Sequence, residues 1–351
     1  MAYFNDKLCL TIDSMDRINL FRRIDNRIMR YRIGGDTDDF MVNTVVEEVF
    51  REFSVTIDEW DIIYLIYQDM SLDMILLLLD GEEMQSIDLT ETPIGEIYYL
   101  NLVICEEIPN IFYFVSNLKS DKEYRLYHHS YDGQHWNTHR VDDIKVKKLL
   151  NPMKVFNFGG KLLLAYYDYN RHEQIYMREY DCNQEKWGKR IQLTDGDEYR
   201  LYIDLLLKDD LLHMVYCQHV CGNLVVVYER LVYQNGKMER DMIKTLSNPE
   251  NPQHPTIIYN NGRLWVSWVE YDNIMSCYSE DMGNTWSPIF MWKESKGVDI
   301  VRYEYRGKQP DDTILDYSFG NIGQEIGLMG FGSTKKTIEI PLKTGYEGYK
   351  K

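Results

Sequence analysis

The fold of this chain is decided by the stretch Ser279-Glu280-Asp281-Met282-Gly283-Asn284-Thr285-Trp286. Asp281 and Asn284 carry short polar side chains that can hydrogen-bond nearby backbone groups in a turn. Gly283 permits a positive φ, so the chain can reverse tightly between two strands. Trp286 can fold back over the turn and bury its ring between neighbouring sheets. The stretch therefore predicts a β-hairpin that also contacts a second sheet.

Two incomplete copies of this pattern lie upstream. The stretch 130–136 (SYDGQHW) keeps a Ser, an Asp, a Gly and a Trp, and the stretch 180–187 (YDCNQEKW) keeps an Asp and a Trp with Asn183 at the turn. Trp136, Trp187 and Trp286 lie at intervals of about 50 and about 100 positions, and periods of 20–50 residues are typical of repeat architectures. The sequence thus contains a repeat of about 50 residues.

Apolar runs of strand length recur with the same period. A first set occupies 8–13, 62–67, 111–116, 162–167, 211–216, 264–269 and 314–319. A second set follows it at 19–24, 73–79, 124–130, 174–180, 224–230, 274–280 and 325–331. The first runs are continuously apolar, as expected for strands buried on both faces. Turn residues follow nearly every member of the second set, and more polar strands flank each pair.

Each repeat is therefore predicted to be a four-stranded antiparallel meander, and a ring of such units makes an all-β fold, the β-propeller. Seven runs of the first set favour seven blades, with six as the alternative. No Pro/Gly/Ser-rich linker or charge run interrupts the series, so we predict a single domain over 1–351. The first repeat lacks an inner strand. We therefore expect the N- and C-terminal segments to pair and close the ring, with 336–349 supplying that strand.

The pattern S-x-D-x-G-x-T-W resembles the Asp-box of sialidase-like (BNR-repeat) β-propellers, in which the box is structural. The resemblance covers nearly the whole chain through the repeat, although one copy of the box is complete. Sialidases have six blades, so a seven-bladed chain would depart from them. The residues that the resemblance assigns to Asp-boxes are Ser279, Asp281, Gly283, Thr285, Trp286, Asp132, Gly133, Trp136, Asp181 and Trp187.

Sialidase activity would require three arginines that hold the substrate carboxylate, a Tyr nucleophile paired with Glu, and an Asp acid/base. The first of those arginines belongs to an F/Y-R-I-P motif, whereas here 31–34 reads YRIG and falls in an outer strand. Tyr303 and Glu304 are neighbours in a predicted inner strand, so their side chains point to opposite faces. We therefore favour a non-catalytic scaffold that binds a protein or a glycan, with a sialidase-like glycoside hydrolase or lyase as the alternative.

The binding surface is predicted from the direction of the strands. The loops between the second and third strands of each repeat share one end of the propeller with the connections between repeats, and we call this end the loop-rich face. Tyr, His and carboxylate side chains collect there, and solvated loop tips are the alternative interpretation. The predicted ligand-binding residues are Asp168, Tyr169, Arg171, His172, Gln218, His219, Glu270, Tyr271 and Asp272.

The composition of the chain indicates which classes of binding partner are unfavourable. The formal net charge of −17 disfavours nucleic acid, which needs a basic surface. No apolar run approaches the roughly 18 residues of a membrane span, and no signal peptide is seen, so we expect a cytoplasmic protein with reduced thiols. Cys217, His219 and Cys221 share a loop, but the spacing is unusual for zinc and no second pair is evident. We predict no metal site and no cofactor.

Overall fold

The computed structural model describes residues 6–34, 41–116, 122–131, 134–220, 222–234, 237–310, 312–322 and 326–343. These residues form antiparallel hairpins that join into six sheets, here numbered I to VI. Their helical content consists of two short 3-10 turns, Lys293–Ser295 and Thr334–Lys336. No helix among these ranges has the length and hydropathy needed to cross a membrane.

The strands follow one another along the chain and fill the sheets nearly in order. The first half comprises β1 (Leu8–Ile12), β2 (Ile18–Ile24), β3 (Arg27–Ile33) and β4 (Met41–Val46) in sheet I; β5 (Val49–Ile57), β6 (Ile63–Asp69), β7 (Met74–Asp80) and β8 (Glu83–Asp88) in sheet II; and β9 (Ile97–Cys105), β10 (Ile108–Ser116), β11 (Glu123–Tyr131) and β12 (Trp136–Lys145) in sheet III. Sheet IV holds β13 (Met153–Phe158), β14 (Lys161–Asn170), β15 (His172–Asp181), β16 (Lys186–Trp187) and β17 (Ile191–Gln192).

The remaining strands complete the ring. Sheet V holds β18 (Arg200–Lys208), β19 (Leu211–Val220), β20 (Asn223–Gln234) and β21 (Lys237–Thr245). Sheet VI holds β22 (Gln253–Asn260), β23 (Arg263–Glu270), β24 (Asn273–Ser279) and β25 (Ile289–Trp292). The last strands are β26 (Ile300–Gly307), β27 (Thr313–Ile314), β28 (Tyr317–Ile322), β29 (Ile326–Met329) and β30 (Thr337–Ile340).

The first strand of each four-stranded unit lies innermost. The inner strand β9 lies against β5 and β13, and β18 lies against β13 and β22, so the sheets stand radially around one axis. Apolar side chains fill the spaces between neighbouring sheets, where the buried clusters contain residues from more than one sheet. The fold is a β-propeller, which confirms the predicted all-β class. The predicted runs at 62–67, 111–116 and 211–216 correspond to β6, β10 and β19.

The preferred number of seven blades is wrong, because the described residues form six sheets. The reason lies in sheet I, whose strand order is β29-β28-β26-β1-β2-β3-β4. The N-terminal repeat has no inner strand of its own, so β1 pairs in parallel with β26. On its other edge β26 pairs with β28. One strand therefore serves both the first and the last repeat and merges them into one sheet.

The C-terminal segment takes a different place from the one expected. We predicted that 336–349 supplies the missing inner strand, but β30 pairs antiparallel with β25 at the outer edge of sheet VI. Residues 344–349 lie outside the described ranges. The inner position that this segment was expected to fill is occupied by β26.

The turn 279–286 is closed by side-chain hydrogen bonds, as the sequence predicts. The Asp281 carboxylate accepts bonds from the Ser279 hydroxyl (2.7 Å) and from the Thr285 backbone N–H (2.8 Å) and hydroxyl (2.7 Å). The Trp286 ring is half-buried and lies 4.9 Å from the ring of Tyr228 on β20. Arg230 donates to the Met282 carbonyl oxygen at 2.8 Å. The turn therefore joins sheet VI to sheet V.

The described residues include one upstream copy in full and the other in part. The Asp181 carboxylate accepts the backbone N–H groups of Asn183 (3.1 Å) and Gln184 (3.0 Å). Trp187 packs against His128 of sheet III, with ring centroids 5.4 Å apart, so this copy also joins neighbouring sheets. Trp136 lies against Tyr131, whereas Asp132 and Gly133 fall outside the described residues.

We expect Asp281→Asn to lower the melting temperature at neutral pH and to flatten the acid side of the stability profile. Hydrogen bonds from Thr285, followed by that from Ser279, lower the pKa of Asp281 from 3.8 to about 2. Because the folded-state pKa is depressed, the carboxylate stabilises the fold above pH 3.8, and this contribution is lost as the pH falls through about 2. Melting curves of parent and variant over this range measure the effect. If the melting temperatures of the two proteins changed with pH in the same way, the proposed role of the Asp281 carboxylate would be contradicted.

The cysteines depart from the expectation of reduced thiols. Cys105, at the end of β9, and Cys182, in the turn after β15, form a disulfide between sheets III and IV. That expectation is therefore wrong for this pair. Cys9, Cys217 and Cys277 are buried free thiols.

Candidate functional site

The predicted binding residues divide into two groups at the loop-rich face. Six of them lie at or near the tips of two neighbouring hairpins, β14–β15 of sheet IV and β19–β20 of sheet V. The remaining three, 270–272, form the tip of the β23–β24 hairpin of sheet VI. The described contacts link the first two hairpins through residues that the sequence analysis did not select.

Asp168 serves an internal role. Its side chain is buried and accepts the backbone N–H of Lys145 at 2.9 Å. It also forms an ion pair with Arg190, whose guanidinium in turn contacts Asp142 at 3.1 Å. Because both carboxylate oxygens have partners within the protein, Asp168 holds sheet IV to the end of β12 in sheet III and has little capacity left for a ligand.

A tyrosine–lysine cluster connects the two hairpins. We define it as Lys147, Tyr169, Tyr199 and His219. The Lys147 ammonium lies 3.3 Å from the ring centroid of Tyr199 and 5.5 Å from that of Tyr169, within the range of cation–π attraction. The His219 ring stands edge-on to Tyr199 with centroids 6.4 Å apart. The Tyr199 side chain remains 36% exposed, so part of its ring is open to solvent.

Two buried charged residues, Glu173 and Arg200, hold this cluster in place from the interior of the protein. The backbone N–H of Lys147 donates to the Glu173 carboxylate at 3.2 Å, and Arg200 donates to the Glu173 carbonyl oxygen at 2.8 Å. Glu173 and Arg200 are both buried. Burial raises the pKa of Glu173, although the bonds from Lys147 and Arg200 act in the opposite direction. The cluster therefore rests on a fixed polar layer between sheets IV and V.

Two imidazole groups lie near the tips of these hairpins, His172 on β15 and the cluster member His219 on β19. His172 Nε2 lies 3.3 Å from an Asp197 carboxylate oxygen, and both side chains are partly exposed. Burial, followed by the charge of Lys148, lowers the pKa of His219. A neutral His219 offers one hydrogen-bond donor and one acceptor to a ligand. Arg171 is exposed and has a φ of 73° at the hairpin tip, and Gln218 is half-buried on β19.

The third hairpin carries a separate polar group. Tyr271 is 70% exposed, and its hydroxyl donates to Glu250 at 3.0 Å. Glu270 accepts a bond from the Trp268 indole N–H at 3.1 Å, and burial raises its pKa. Asp272 is exposed in the turn, with a φ of 56°. The hydrogen bonds and ring contacts of the described residues do not join this group to the tyrosine–lysine cluster.

Sequence reasoning missed Lys147 and Tyr199. Both lie in connections between sheets, where neither apolar periodicity nor a turn motif distinguishes them. One signal was present: Tyr199 directly follows the acidic stretch 195–198 at the predicted loop-rich face. An aromatic residue next to such a stretch is a reasonable candidate for ligand contact, and it would have pointed to Tyr199.

Charged side chains also line the propeller axis. We call them the axial ion network, and its members are Lys7, Lys154, Asp204, Glu304, Arg306 and Asp316. Lys154 contacts Asp204 at 3.0 Å and Asp316 at 2.6 Å, and Arg306 contacts Glu304 at 2.6 Å. Burial alone would raise the pKa of Glu304, but Lys7 and Arg306 outweigh it and hold that pKa below its usual range.

The residues compared with sialidases occupy scattered positions. Arg32, on the outer strand β3, pairs with Glu82 of sheet II. Tyr303 is fully buried and donates to the Asn321 carbonyl oxygen at 2.8 Å, whereas Glu304 faces the axial network. Arg302 lies over the Tyr317 ring at 3.7 Å. Arg32 therefore lies apart from the axis, whereas Arg302 contacts Tyr317, which is paired with Glu304 between β26 and β28.

The loop considered for a metal is only partly described. Cys217 is buried and its thiol donates to the Pro252 carbonyl oxygen at 3.2 Å. Cys221 lies outside the described residues. The part of the chain that is described contains no group of three or more His, Cys, Asp or Glu side chains suited to a metal ion.

Comparison with known proteins finds likeness in structure and not in sequence. No protein-family model matches the chain, and no curated protein matches it. The fucose-specific lectin of Aleuria aurantia matches with a TM-score of 0.50 at 12% identity, over 82% of this chain and 96% of the lectin. That lectin is described as a six-bladed β-propeller.

An ulvan lyase, described as belonging to a new family of polysaccharide lyases, is also similar. It matches with a TM-score of 0.56 at 9% identity, over 93% of this chain and 96% of the lyase. A second structure of this lyase, bound to a GlcA–Rha3S unit, gives a TM-score of 0.55. At such identities the likeness shows the shared propeller fold alone.

Proposed function

We propose that this protein is a carbohydrate-binding β-propeller that takes a glycan on the tyrosine–lysine cluster of its loop-rich face. The observation that carries the proposal is the exposed ring of Tyr199, fixed between Lys147 and His219. A sugar ring has an apolar C–H face that packs on an aromatic ring, and hydroxyl groups at its edge that need donors and acceptors. His219 provides such groups beside the ring, and the His172–Asp197 pair provides more on the same face.

The rigidity of the cluster supports binding. Lys147 is tied through its backbone to buried Glu173, and its ammonium fixes the Tyr199 ring. A ring that is already ordered loses little conformational freedom when a ligand packs on it. The solved lectin with a similar fold binds fucose, and this likeness is consistent with the proposal without identifying the sugar.

We expect Tyr199→Ala to weaken glycan binding about tenfold, which corresponds to about 1.4 kcal/mol. A glycan array identifies a bound sugar, and isothermal titration calorimetry then measures its affinity for each variant. Tyr271→Ala is the matched control, because Tyr271 is exposed on the same face but outside the cluster. Loss of affinity in the Tyr271 variant with none in the Tyr199 variant would place the site elsewhere. Absence of any bound glycan would remove the proposal.

A lyase acting on a uronic-acid polymer is the second candidate. The observation that favours it is the Lys147 ammonium beside Tyr169 and Tyr199 with an imidazole at His219. A cation can neutralise a uronate carboxylate, while tyrosine and histidine are suitable acid–base groups for removing the C5 proton and protonating the departing C4 oxygen. Incubation with uronic-acid polysaccharides should then produce the ultraviolet absorbance of an unsaturated sugar. No such absorbance is expected from a pure binding module.

We also propose that the chain is an Asp-box propeller without sialidase activity. The hydrogen bonds of Asp281 to Ser279 and Thr285 support the first part. The pairing of Arg32 with Glu82, far from the axis, supports the second. Release of a fluorogenic group from a sialoside, abolished by Arg32→Ala, would show that the assignment is mistaken.

A further inference from the structure

A cavity of about 380 Å³ opens on the axis at the end opposite the loop-rich face. It lies where the inner strands reach their turns, and all six sheets contribute to its lining. Aliphatic side chains form much of its wall, and they include Ile57, Val103, Val155, Leu205, Ile257 and Ile314. This volume falls within the range of small-molecule sites, which are mostly apolar with a few placed polar groups.

The charged side chains in the lining of the cavity are a cation and an anion, and Thr56 and Asn157 add neutral polar groups. Arg306 and Asp316 both belong to its lining. Arg306 Nη1 lies 3.7 Å from Asp316 Oδ1, beyond ordinary hydrogen-bond distance. The other Asp316 oxygen is engaged by Lys154 at 2.6 Å. At 34%, the Asp316 side chain is the most exposed of the axial ion network, so Oδ1 is the acceptor most open to a ligand.

Arg306 retains donor capacity. Its guanidinium has five N–H groups. The described residues accept two bonds from it, at the Tyr305 carbonyl oxygen (2.9 Å) and at Glu304 (2.6 Å). The cavity thus presents a guanidinium and a carboxylate oxygen side by side, neither of them saturated by the other.

Charge balance selects the class of ligand. The axial ion network contains the cations Lys7, Lys154 and Arg306 and the anions Asp204, Glu304 and Asp316, which sum to zero. A ligand with a net charge would leave an uncompensated charge in a partly buried site, which is unfavourable. A molecule with no net charge but a separated positive and negative group satisfies both Arg306 and Asp316 through charge-assisted hydrogen bonds.

We propose that this cavity binds a zwitterionic aliphatic α-amino acid. Its carboxylate bonds to Arg306, its ammonium group bonds to Asp316 Oδ1, and its side chain packs on the aliphatic walls. The cavity is separate from the tyrosine–lysine cluster, so this site is independent of glycan binding at the loop-rich face. A neutral sugar would also fit the charge balance, but the aliphatic walls favour an aliphatic body over a pyranose ring.

Isothermal titration calorimetry of the whole chain tests the proposal. L-Leucine is expected to bind saturably with a Kd in the millimolar range or tighter. Isocaproate, which lacks the ammonium group, and isopentylamine, which lacks the carboxylate, are each expected to bind at least tenfold more weakly. Methyl α-L-fucoside represents the neutral sugars. Absence of leucine binding, or tighter binding of the fucoside or of either analogue, would overturn the proposal.

Variants locate the site. Ile314→Trp adds bulk to a half-buried wall residue on the short strand β27 and is expected to abolish leucine binding. Ile338→Trp, on the exposed outer strand β30 of the same sheet, is the control and should leave binding unchanged. Asp316→Asn should weaken leucine binding at least tenfold and should strengthen isocaproate binding, because the axial ion network then carries a net charge of +1 that an anion compensates. Leucine binding that survives Ile314→Trp unchanged would show that the amino acid occupies another place.

Discussion

Replacement of Glu304 by glutamine is expected to lower the free energy of unfolding by about 3–5 kcal/mol, the usual cost of removing one partner of a buried ion pair. Glu304 is 4% exposed and contacts Arg306 at 2.6 Å and Lys7 at 3.8 Å. The Cys9 thiol also donates to it at 3.6 Å. Neutralising this carboxylate leaves Arg306 with Asp316 as its remaining ionic partner, at 3.7 Å.

Urea unfolding measures this loss, and a surface pair provides the control. Glu280 contacts Arg263 at 2.6 Å, but its side chain is 62% exposed. Exposed pairs contribute about 0–1 kcal/mol, so Glu280→Gln should change the unfolding free energy by less than about 1 kcal/mol. Equal losses in the two variants would mean that burial does not distinguish the axial network from the surface.

The second large effect is expected at Gly283, inside the turn 279–286. Its φ is +92°, and a Cβ placed there would lie 2.0 Å from the Tyr228 hydroxyl oxygen and 2.5 Å from the ring carbon that carries it. Tyr228 is fully buried, and its hydroxyl is within 2.7 Å of His213, so the ring has little room to move. Overpacking typically costs about 1–3 kcal/mol, and the left-handed conformation adds about 1–2 kcal/mol for a residue with a Cβ.

Gly283→Ala should therefore destabilise the protein by roughly 2–5 kcal/mol, the sum of those two ranges. Gly332 is the matched control, because its φ is +97° but no atom lies within 4 Å of the added Cβ. Gly332→Ala should cost only the conformational part, about 1–2 kcal/mol. Chemical unfolding of both variants separates the two contributions. A Gly283 variant no less stable than the Gly332 variant would contradict the described packing against Tyr228.

The strands could be predicted from the sequence because their signal is local. Each apolar run is continuous, each is followed by turn residues, and the period repeats along the chain, so β6, β10 and β19 were located within a few residues. The turn 279–286 was predictable for the same reason, since Ser279, Asp281 and Thr285 bond one another within a few positions.

The number of blades depends on a pairing that no local pattern contains. The spacing of the runs counts repeats, but it does not reveal that β26 pairs with β28 on one edge and with β1 on the other. The strand that pairs with a free sheet edge is determined only in the folded ring, where β1 lacks a partner on one side.

The candidate site was predicted only in part, because its residues meet across sheets. Tyr169 and His219 were selected from their hairpins, but Lys147 and Tyr199, which join them, lie in connections without a distinguishing pattern. The axial ion network draws its members from distant parts of the chain, with Lys7 and Glu304 as the extreme case. These residues come together only when the ring closes, and no local sequence pattern indicates that they will meet.

The parallel pairing of β1 with β26 also sets an order of events during synthesis. Cys9 and Glu304 face each other in this pair although 295 positions separate them, so β1 leaves the ribosome long before its partner exists. Contacts between residues this distant in sequence slow folding. The chain loses conformational entropy when the long loop closes, and the contacts that offset this loss form only afterwards. Until residue 307 has been made, one edge of β1 stays open to strands of other nascent chains. Chains truncated before β26 should therefore aggregate, whereas release of the complete chain permits closure.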